Sequence, residues 1–493
     1  MLIWFLPAFL VLLMIGMPVF FALLVAPGVL LWMDGQGNQL ITLYRNVYNG
    51  MDSFPLMALP FFMLAGEIMN RGGITLRLVE FSQAIMGHLR GGLAHVNILS
   101  SILFAGLSGS AVADTSALGS TLIPAMEKNG YSRKFAAAVT AASSVIGPII
   151  PPSGIMIIYA YVMGESVAAL FLAGIVPGIM VGVGLMVMVR LLADRYDLPK
   201  AERIVRKGQS ITPVENLIAR ALARVNMIAV LFVLIGFIAG SLSANVPWWL
   251  RLIVAAGLSE GIFIALRRRM SEDVRVVYKR AVVPLQTPII ILGGILAGVF
   301  TPTEASVIAV AYAVLISFFI LRSMKVGDLP AILLKSALGS STVLLLVGAA
   351  VAFKTVVSLS HAPETLAAFI LSLSENPLTL LFLINMLLFI VGMFLDAGPA
   401  IIILGPILGP IFTDIGVHPV HFAIIMSVNL TVGLATPPMG LVLFVASSVS
   451  GERVETISKA ILPFLAVEVA VIFLITYVPA ISLTVPRLTG FIQ

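Results

Sequence analysis

The chain alternates long apolar segments with short polar ones, and this alternation continues along all 493 residues. Many of the apolar segments contain 18 or more residues, enough for an α-helix to cross the hydrocarbon layer of a membrane. The first of them, residues 2–33, would be about 46 Å long as one helix, which is longer than that layer requires. We expect Pro18 to divide it. The pattern predicts an all-α protein with many membrane spans.

Glycines and prolines interrupt two of the apolar segments. The interruptions are GPIIPPSG at 147–154, inside segment 133–163, and GLATPPMG at 433–440, inside segment 421–449. Proline lacks an amide donor and glycine permits backbone conformations that end a helix, so both segments are predicted to be broken helices. Within a membrane such a break is tolerated only where it is buried in protein or lines a polar cavity.

The two breaks belong to an internal repeat with a constant offset of 286 residues. Helix-breaking residues coincide at this offset in the pairs Gly119 and Gly405, Pro124 and Pro410, Gly130 and Gly416, Gly147 and Gly433, Pro151 and Pro437, Pro152 and Pro438, Gly154 and Gly440, and Pro177 and Pro463. Before each break, two apolar arms too short to span comfortably predict a re-entrant hairpin. The first hairpin turns after 106–110 and the second at 393–399.

Basic residues concentrate in two loops, 190–224 and 267–280. The net charge of +6 suggests nucleic-acid binding, but cations that flank spans are explained better by the positive-inside rule. Both loops are therefore predicted to be cytoplasmic. Counting spans from them places the two hairpins on opposite sides of the membrane, so the repeats have inverted topology, as in many secondary transporters.

The chain is accordingly divided into scaffold segments and transport segments. The predicted parts are scaffold and arm of the first repeat at 1–91, first hairpin and broken helix at 92–163, span and basic loop at 164–224, an extra pair of spans at 225–266, scaffold and arms of the second repeat at 267–376, second hairpin and broken helix at 377–449, and last span with C-terminus at 450–493.

Composition removes several other classes of function. With 60% hydrophobic and 11% charged residues, a soluble protein is excluded. Cysteine is absent and the five histidines have no metal-ligand spacing, so no cofactor is expected. Two kinds of intramembrane protease are possible alternatives. Rhomboid-type proteases contain the form Gly106-Leu107-Ser108-Gly109 around their nucleophile, and aspartyl intramembrane proteases contain two membrane aspartates. Because no histidine lies inside a confident span as a base, we expect no enzyme; a channel is the other alternative.

The hairpin tips and breaks carry polar groups suited to a small cation, which needs about five or six oxygen ligands. Hydroxyl, carboxamide and carboxylate candidates are Asn97, Ser108, Ser110, Asp114, Thr115, Ser116, Ser143, Ser144, Ser153, Asp396, Asn429, Thr431 and Thr436. A carboxylate within a membrane is costly, which makes Asp114 and Asp396 functional candidates. As the alternative to cation binding, the hydroxyls bond a backbone carbonyl one turn back, and the aspartates cap helices or start turns.

Four stretches resemble the large membrane subunit of TRAP (tripartite ATP-independent periplasmic) transporters, the DctM-like family. They are GLSGSAVAD at 106–114, IGPIIPPS at 146–153, GVFTPTEA at 298–305 and ATPPMG at 435–440. The resemblance implies sodium-driven uptake of an organic acid by an elevator movement in the bacterial inner membrane. It also implies two partners, a periplasmic substrate-binding protein and a separate small four-helix membrane subunit. A stand-alone ion-coupled carboxylate symporter is the alternative.

The resemblance further implies where substrate and sodium bind. The substrate is expected between the two tips, at Ser108, Gly109, Ser110, Asp114, Thr115, Ser116, Asp396, Ala397 and Gly398. Sodium is expected at Asn97, Ser108, Ser110, Gly147, Pro148, Ser153, Gly392, Asp396, Asn429, Gly433 and Thr436. The two spans at 225–266 lie outside the usual family pattern and are expected to enlarge the scaffold, contact the small subunit or support oligomerisation.

Overall fold

A computed structural model describes residues 2–33, 35, 37, 39–199, 211–241, 246–359 and 376–492. Every regular element in these residues is helical, which confirms the predicted all-α class. Nine helices of the described residues are long and apolar enough to cross a membrane. The helix pair Leu40–Met51 and Pro55–Arg71, bent by 59°, would be a tenth span if it is counted as one.

The first part of the chain forms ten helices up to residue 192. They are α1 Leu2–Met14, α2 Val19–Met33, α3 Gln39–Met51, α4 Ala58–Arg71, α5 Ile74–Met86, α6 Gly92–Ser108, α7 Ala111–Lys128, α8 Arg133–Ser144, α9 Gly154–Met163 and α10 Val167–Leu192. The predicted division at Pro18, the first hairpin (α6 and α7) and the first broken helix (α8 and α9) are confirmed.

The described residues after 210 form eleven further helices. They are α11 Pro213–Ser241, α12 Trp248–Arg269, α13 Glu272–Leu296, α14 Pro302–Val314, α15 Leu329–Leu359, α16 Pro377–Phe394, α17 Ala397–Asp414, α18 Pro419–Gly433, α19 Leu441–Ser450, α20 Val454–Tyr477 and α21 Ala480–Leu488. Helix α14 continues into a π-helical turn, Leu315–Ile320. The second hairpin (α16 and α17) and second broken helix (α18 and α19) are confirmed.

The helix bounds reproduce the 286-residue repeat. Helices α7 and α17 begin and end at positions that differ by this offset, and α10 and α20 agree with it to one residue at each end. The Pro151-Pro152 and Pro437-Pro438 peptide bonds, also one offset apart, are both cis. The repeat inferred from helix-breaking residues is therefore a repeat of structure.

Capping residues restart the helices at the tips and breaks. Ser110 Oγ accepts a hydrogen bond from Ala113 N at the start of α7 (3.4 Å), and Ser153 Oγ accepts one from Met156 N at the start of α9 (3.3 Å). Asp396 Oδ1 accepts one from Ala397 N (2.8 Å) at the start of α17. Each cap satisfies an amide that the first helical turn leaves unbonded. The local sequence thus fixes where the hairpin arms and half-helices begin.

The two repeats interlock through their hairpins. Helix α7 of the first hairpin packs on α19 of the second broken helix, and α17 of the second hairpin packs on α9 of the first. A second group of helices packs around these, with α3 and α4 lying on α15 and α14 respectively. The hairpins and broken helices thus form one interdigitated body beside a scaffold that includes α3, α4, α14 and α15.

Some sequence boundaries were wrong. The segment 34–54, expected to be a polar linker, contains helix α3, whose apolar residues occur at helical spacing on one side. Helix α11 begins at Pro213 and α13 at Glu272, within stretches expected to be basic loops. Charged residues in the first turns of a helix do not end it when its other face packs on protein. The amphipathic stretch expected near 361–376 lies outside the described residues, apart from Asn376.

Candidate functional site

A cavity of about 930 Å³ lies where both hairpin tips face the scaffold. The first tip contributes Ser108, Gly109, Ser110 and Ser116, and the second contributes Asp396, Gly398 and Pro399. Pro148, Pro152 and Gly154 of the first break line it as well, and α4 and α15 close the scaffold side. The cavity therefore joins the predicted substrate residues of two distant parts of the chain.

The first tip lies against the backbone of the first break. Gly109 has φ +60°, and a Cβ placed on it would lie 2.6 Å from the carbonyl oxygen of Pro152. Only glycine combines this left-handed backbone with so close an approach. Ser108 Oγ donates a hydrogen bond to Asp114 Oδ1, so the hydroxyl at the end of α6 is tied to the first turn of α7.

Asp114 is fully buried behind the tip. Its Oδ2 has no hydrogen-bond partner among the described residues and lies against Gly147, where a Cβ has no room. The carbonyl oxygen of Ser144 lies 3.2 Å from that same Cβ position. A buried carboxylate oxygen beside backbone carbonyls at a helix break is a donor set that suits a small hard cation.

A buried polar network connects the arm of the first hairpin to the first broken helix. Asn97 Nδ2 donates to Thr140 Oγ1 (2.6 Å), while Ser143 Oγ donates to Asn97 Oδ1 (3.3 Å). Ser101 Oγ in turn donates to Ser143 Oγ (2.9 Å). Asn97 thus links α6 to α8 behind the cavity, which it does not line, and its role toward sodium stays a prediction.

The second break also brings two glycines together. A Cβ on Gly433 would lie 2.5 Å from the C and Cα atoms of Gly392, so the backbones of α18 and α16 are in direct contact. One further pair of side chains links the same helices, since Asn429 Nδ2 donates to Asn385 Oδ1 (2.6 Å). Asn385 Oδ1 also accepts from Thr476 Oγ1 of α20 (3.1 Å).

Several of the candidate hydroxyls donate a hydrogen bond to a backbone carbonyl one turn back, which the sequence offered as the alternative to binding an ion. Ser144 bonds the carbonyl of Thr140 (2.7 Å), Thr431 that of Ser427 (2.9 Å) and Thr436 that of Val432 (2.8 Å). Each oxygen keeps lone pairs free for a further contact.

The other predicted site residues fall into two groups. Thr115 and Ala397 are buried behind the cavity wall, and Thr115 Oγ1 donates to the Ala111 carbonyl (2.8 Å). Ser153 caps α9 and donates to the Pro148 carbonyl, which fixes the shape of the break. Their roles toward substrate and sodium stay predictions.

Scaffold residues of the cavity were missed in the sequence. Lys335 of α15 and Glu67 of α4 form an ion pair (2.8 Å) whose residues both line the cavity. Two buried polar residues away from the cavity, Asn385 and Glu468, were also not singled out in the sequence. Glu468 is fully buried in α20, and neither of its carboxylate oxygens is bonded to a described residue. The available signal was a single polar residue within an otherwise apolar span, as at Asn385 and Glu468.

Comparison of the sequence with known proteins places the chain among membrane permeases. The family model described as the DctM component of tripartite ATP-independent periplasmic transporters matches residues 6–481. The C4-dicarboxylate TRAP transporter large permease protein DctM of Pseudomonas aeruginosa is 33% identical over 444 residues, covering 90% of this chain and 89% of that protein. The sialic acid TRAP transporter large permease protein SiaM of Vibrio cholerae is 33% identical over 481 residues, covering 97% and 96%.

A solved structure has a similar fold. The Alcanivorax borkumensis YdaH transporter, described as having an unusual topology, superposes with a TM-score of 0.55 at 17% identity, covering 90% of this chain and 88% of its own. This likeness concerns the arrangement of helices alone.

Proposed function

The chain belongs to the DctM family of TRAP transporter large membrane subunits, a family of transporters and not of enzymes, and on that premise we propose that it carries out sodium-coupled uptake of an organic acid. The family implies a small membrane subunit and a periplasmic binding protein as partners. We assign the protein to the bacterial inner membrane, with the binding protein delivering the acid to the cavity. The observation that carries the proposal is one cavity lined by both hairpin tips and the scaffold.

The cavity suits a carboxylate because helix N-termini open into it. Residues from the first turns of α7, α9 and α17 all line it, among them Val112, Ile155 and Gly398. The amide ends of these helices carry partial positive charge that favours an anion. Lys335 adds a cation on the scaffold side, although its pairing with Glu67 neutralises part of the charge.

Sodium acts in this proposal by joining tip to break. At the first site Asp114 Oδ2 and carbonyls near Gly147 hold the ion, and Ser108 links Asp114 to the tip. At the second site, backbone carbonyls around Gly433 and the hydroxyl of Thr436 hold the ion. An ion bound there stabilises the closed tips, so the acid binds with higher affinity when sodium is present.

The elevator movement is proposed because the interdigitated hairpins form a body distinct from the scaffold. The hairpin body meets the scaffold at polar contacts such as the one in which Lys354 Nζ of α15 donates to the Val162 carbonyl of α9 (2.6 Å). Sliding of the hairpin body would exchange such contacts and carry both hairpin tips past the scaffold together, which differs from a channel that opens at both ends.

Reconstitution tests the function. The chain with its small subunit is placed in proteoliposomes, and uptake of labelled C4-dicarboxylate and sialic acid is followed with and without a sodium gradient and the binding protein. We expect saturable uptake of one class of acid that requires both. Non-saturating flux without the binding protein would support a channel, and saturable uptake without it would support a stand-alone symporter.

A further inference from the structure

One polar contact joins the two extra spans, α11 and α12, to each other, and a second joins α11 to α13. Helix α11 packs on both α12 and α13. Arg224 pairs with Glu260 of α12 (2.5 Å), and Asn226 Nδ2 donates to Gln286 Oε1 of α13 (2.7 Å). These bonds fix the three helices side by side, about one to three turns from the basic residues near their predicted cytoplasmic ends.

Four cations converge beyond those bonds. Arg220, Arg267, Arg275 and Lys279, which we call the basic cluster, lie on α11, α12 and α13 toward their predicted cytoplasmic ends. At 1.5 Å per residue they lie roughly 6 to 17 Å along the helices from the Arg224–Glu260 and Asn226–Gln286 contacts, all in the same direction. Lys279 is within electrostatic reach of the other three members.

Two nearby acidic groups pair with cations outside the cluster. Glu215 pairs with Arg77, and Glu80 with Arg280 (3.3 Å), both on the α5 side of these helices. Glu272 is the acidic side chain that acts on Lys279. Among the described residues, buried Nε of Arg275 has no hydrogen-bond partner. Several like charges beside an unsatisfied buried donor are stabilised when an anion binds.

The helix surfaces that continue from the cluster are apolar and uncovered. In the most apolar 18-residue stretch of each helix, the share buried inside the protein is 6% for α11 and 11% for α12. Leu217, Ile264 and Leu266, close in sequence to the cluster, are 71%, 54% and 42% exposed. A ligand that is anionic at one end and apolar along its length fits both surfaces.

We propose that the basic cluster binds the phosphate headgroup of an anionic phospholipid of the cytoplasmic leaflet, with its acyl chains along α11 and α12. That leaflet is rich in anionic lipid, and basic pockets between membrane helices are suited to such headgroups. Inorganic phosphate would use the same donors, but it would leave the apolar helix faces without a partner. The extra spans then hold a lipid at the edge of the scaffold.

Lipid titration of the purified complex tests the site. The full chain with its small subunit is titrated in detergent with cardiolipin, with phosphatidylcholine and with inorganic phosphate, and retained lipid is counted by native mass spectrometry. The cluster variant carries Arg275→Gln and Lys279→Gln, and the matched control carries Arg268→Gln and Arg269→Gln. Because each basic residue near an anionic lipid contributes roughly a factor of five, cardiolipin should bind the cluster variant about 30-fold more weakly.

The control should bind cardiolipin as the unmodified protein does, and so should a charge-keeping variant, Arg275→Lys with Lys279→Arg. Equal loss in cluster variant and control would overturn the proposal in favour of diffuse electrostatics. Unchanged binding in the cluster variant, or competition by inorganic phosphate at equal concentration, would overturn it as well. Native mass spectra report only folded complexes, so a variant that folds poorly lowers the signal without shifting the measured affinity.

Discussion

At the scale of single residues, Asp114 occupies the most specific position in the first half. One carboxylate oxygen accepts from Ser108 at the tip, and the other reaches Gly147 at the break without a partner in the described part of the chain. The residue therefore touches both structures that an ion would have to join. Asp396 of the second half corresponds at the 286-residue offset to Ser110. Like Ser110 it caps the second helix of its hairpin, and it faces the cavity.

Replacing Asp114 by Asn should weaken sodium coupling. The change keeps the shape and removes the charge, so the concentration of sodium for half-maximal uptake should rise roughly 10- to 100-fold, as expected for losing a charged ligand. Uptake in proteoliposomes at varied sodium measures it. Thr413→Val is the control, because that hydroxyl bonds the Gly409 carbonyl of its own helix and lies outside the expected substrate and sodium sites. An unchanged sodium dependence in Asp114→Asn would remove Asp114 from the ion site.

Adding a methyl group at Gly433 should destabilise the second break. The new Cβ would lie 2.5 Å from two backbone atoms of Gly392, which cannot move as a flexible side chain can. Overpacking of this kind costs about 1–3 kcal/mol. Gly405→Ala is the control, since its Cβ would meet Met163 Sδ at an ordinary 3.5 Å. Thermal unfolding of both variants in detergent compares them, and equal melting temperatures would contradict the close contact.

At the scale of elements, local sequence explains where the helices of the repeat begin. Ser110, Ser153 and Asp396 cap the helices that follow them, and glycines and prolines mark the ends of their predecessors. For this reason the hairpins and broken helices were predicted nearly to the residue. Helices α3, α11 and α13 were missed or shortened because their polar first turns resemble loops, and it is packing on neighbouring helices that keeps them helical.

Helix α5 should depend on its ion pair with α11. Arg77 and Glu215 are only 12% and 3% exposed, so removing one partner leaves a buried charge, at about 3–5 kcal/mol. Arg77→Gln should lower the thermal stability of the purified protein by a corresponding amount. Arg71→Gln is the matched control, because Arg71 is 64% exposed in its pair with Asp328 and such pairs contribute at most about 1 kcal/mol. Similar melting temperatures for the two variants would argue against a tight α5–α11 contact.

At the scale of the whole molecule, the proposed movement separates two sets of contacts. Helices α10 and α20 pack on α6 and α8 respectively, and we count them with the hairpin body. Phe62 of α4 and Phe171 of α10 have ring centroids 6.4 Å apart, across the boundary between scaffold and hairpin body. Phe382 of α16 and Phe473 of α20 stack at 5.6 Å within the hairpin body. An elevator must shift the first pair and carry the second along unchanged.

Cross-linking distinguishes these pairs on a chain that has no cysteine of its own. Cysteines replacing Phe62 and Phe171, joined by a reducible bifunctional thiol reagent, should stop uptake, and reduction should restore it. Cysteines replacing Phe382 and Phe473, joined in the same way, should leave uptake near that of the unlinked variant. Continued uptake after linking Phe62 to Phe171 would contradict movement at that boundary.

The sequence by itself determined the membrane class, the inverted repeat, and the places where helices end, because these follow from hydropathy, from the positions of glycine and proline, and from capping residues. Tertiary structure alone decided which polar groups meet. Asn97 and Asp114 look alike as buried polar residues of one hairpin, yet Asn97 bonds Thr140 and Ser143 while one oxygen of Asp114 reaches the break without a bond to the described residues. Lys335 and Glu67 join the cavity across 268 residues, a proximity that no local pattern encodes.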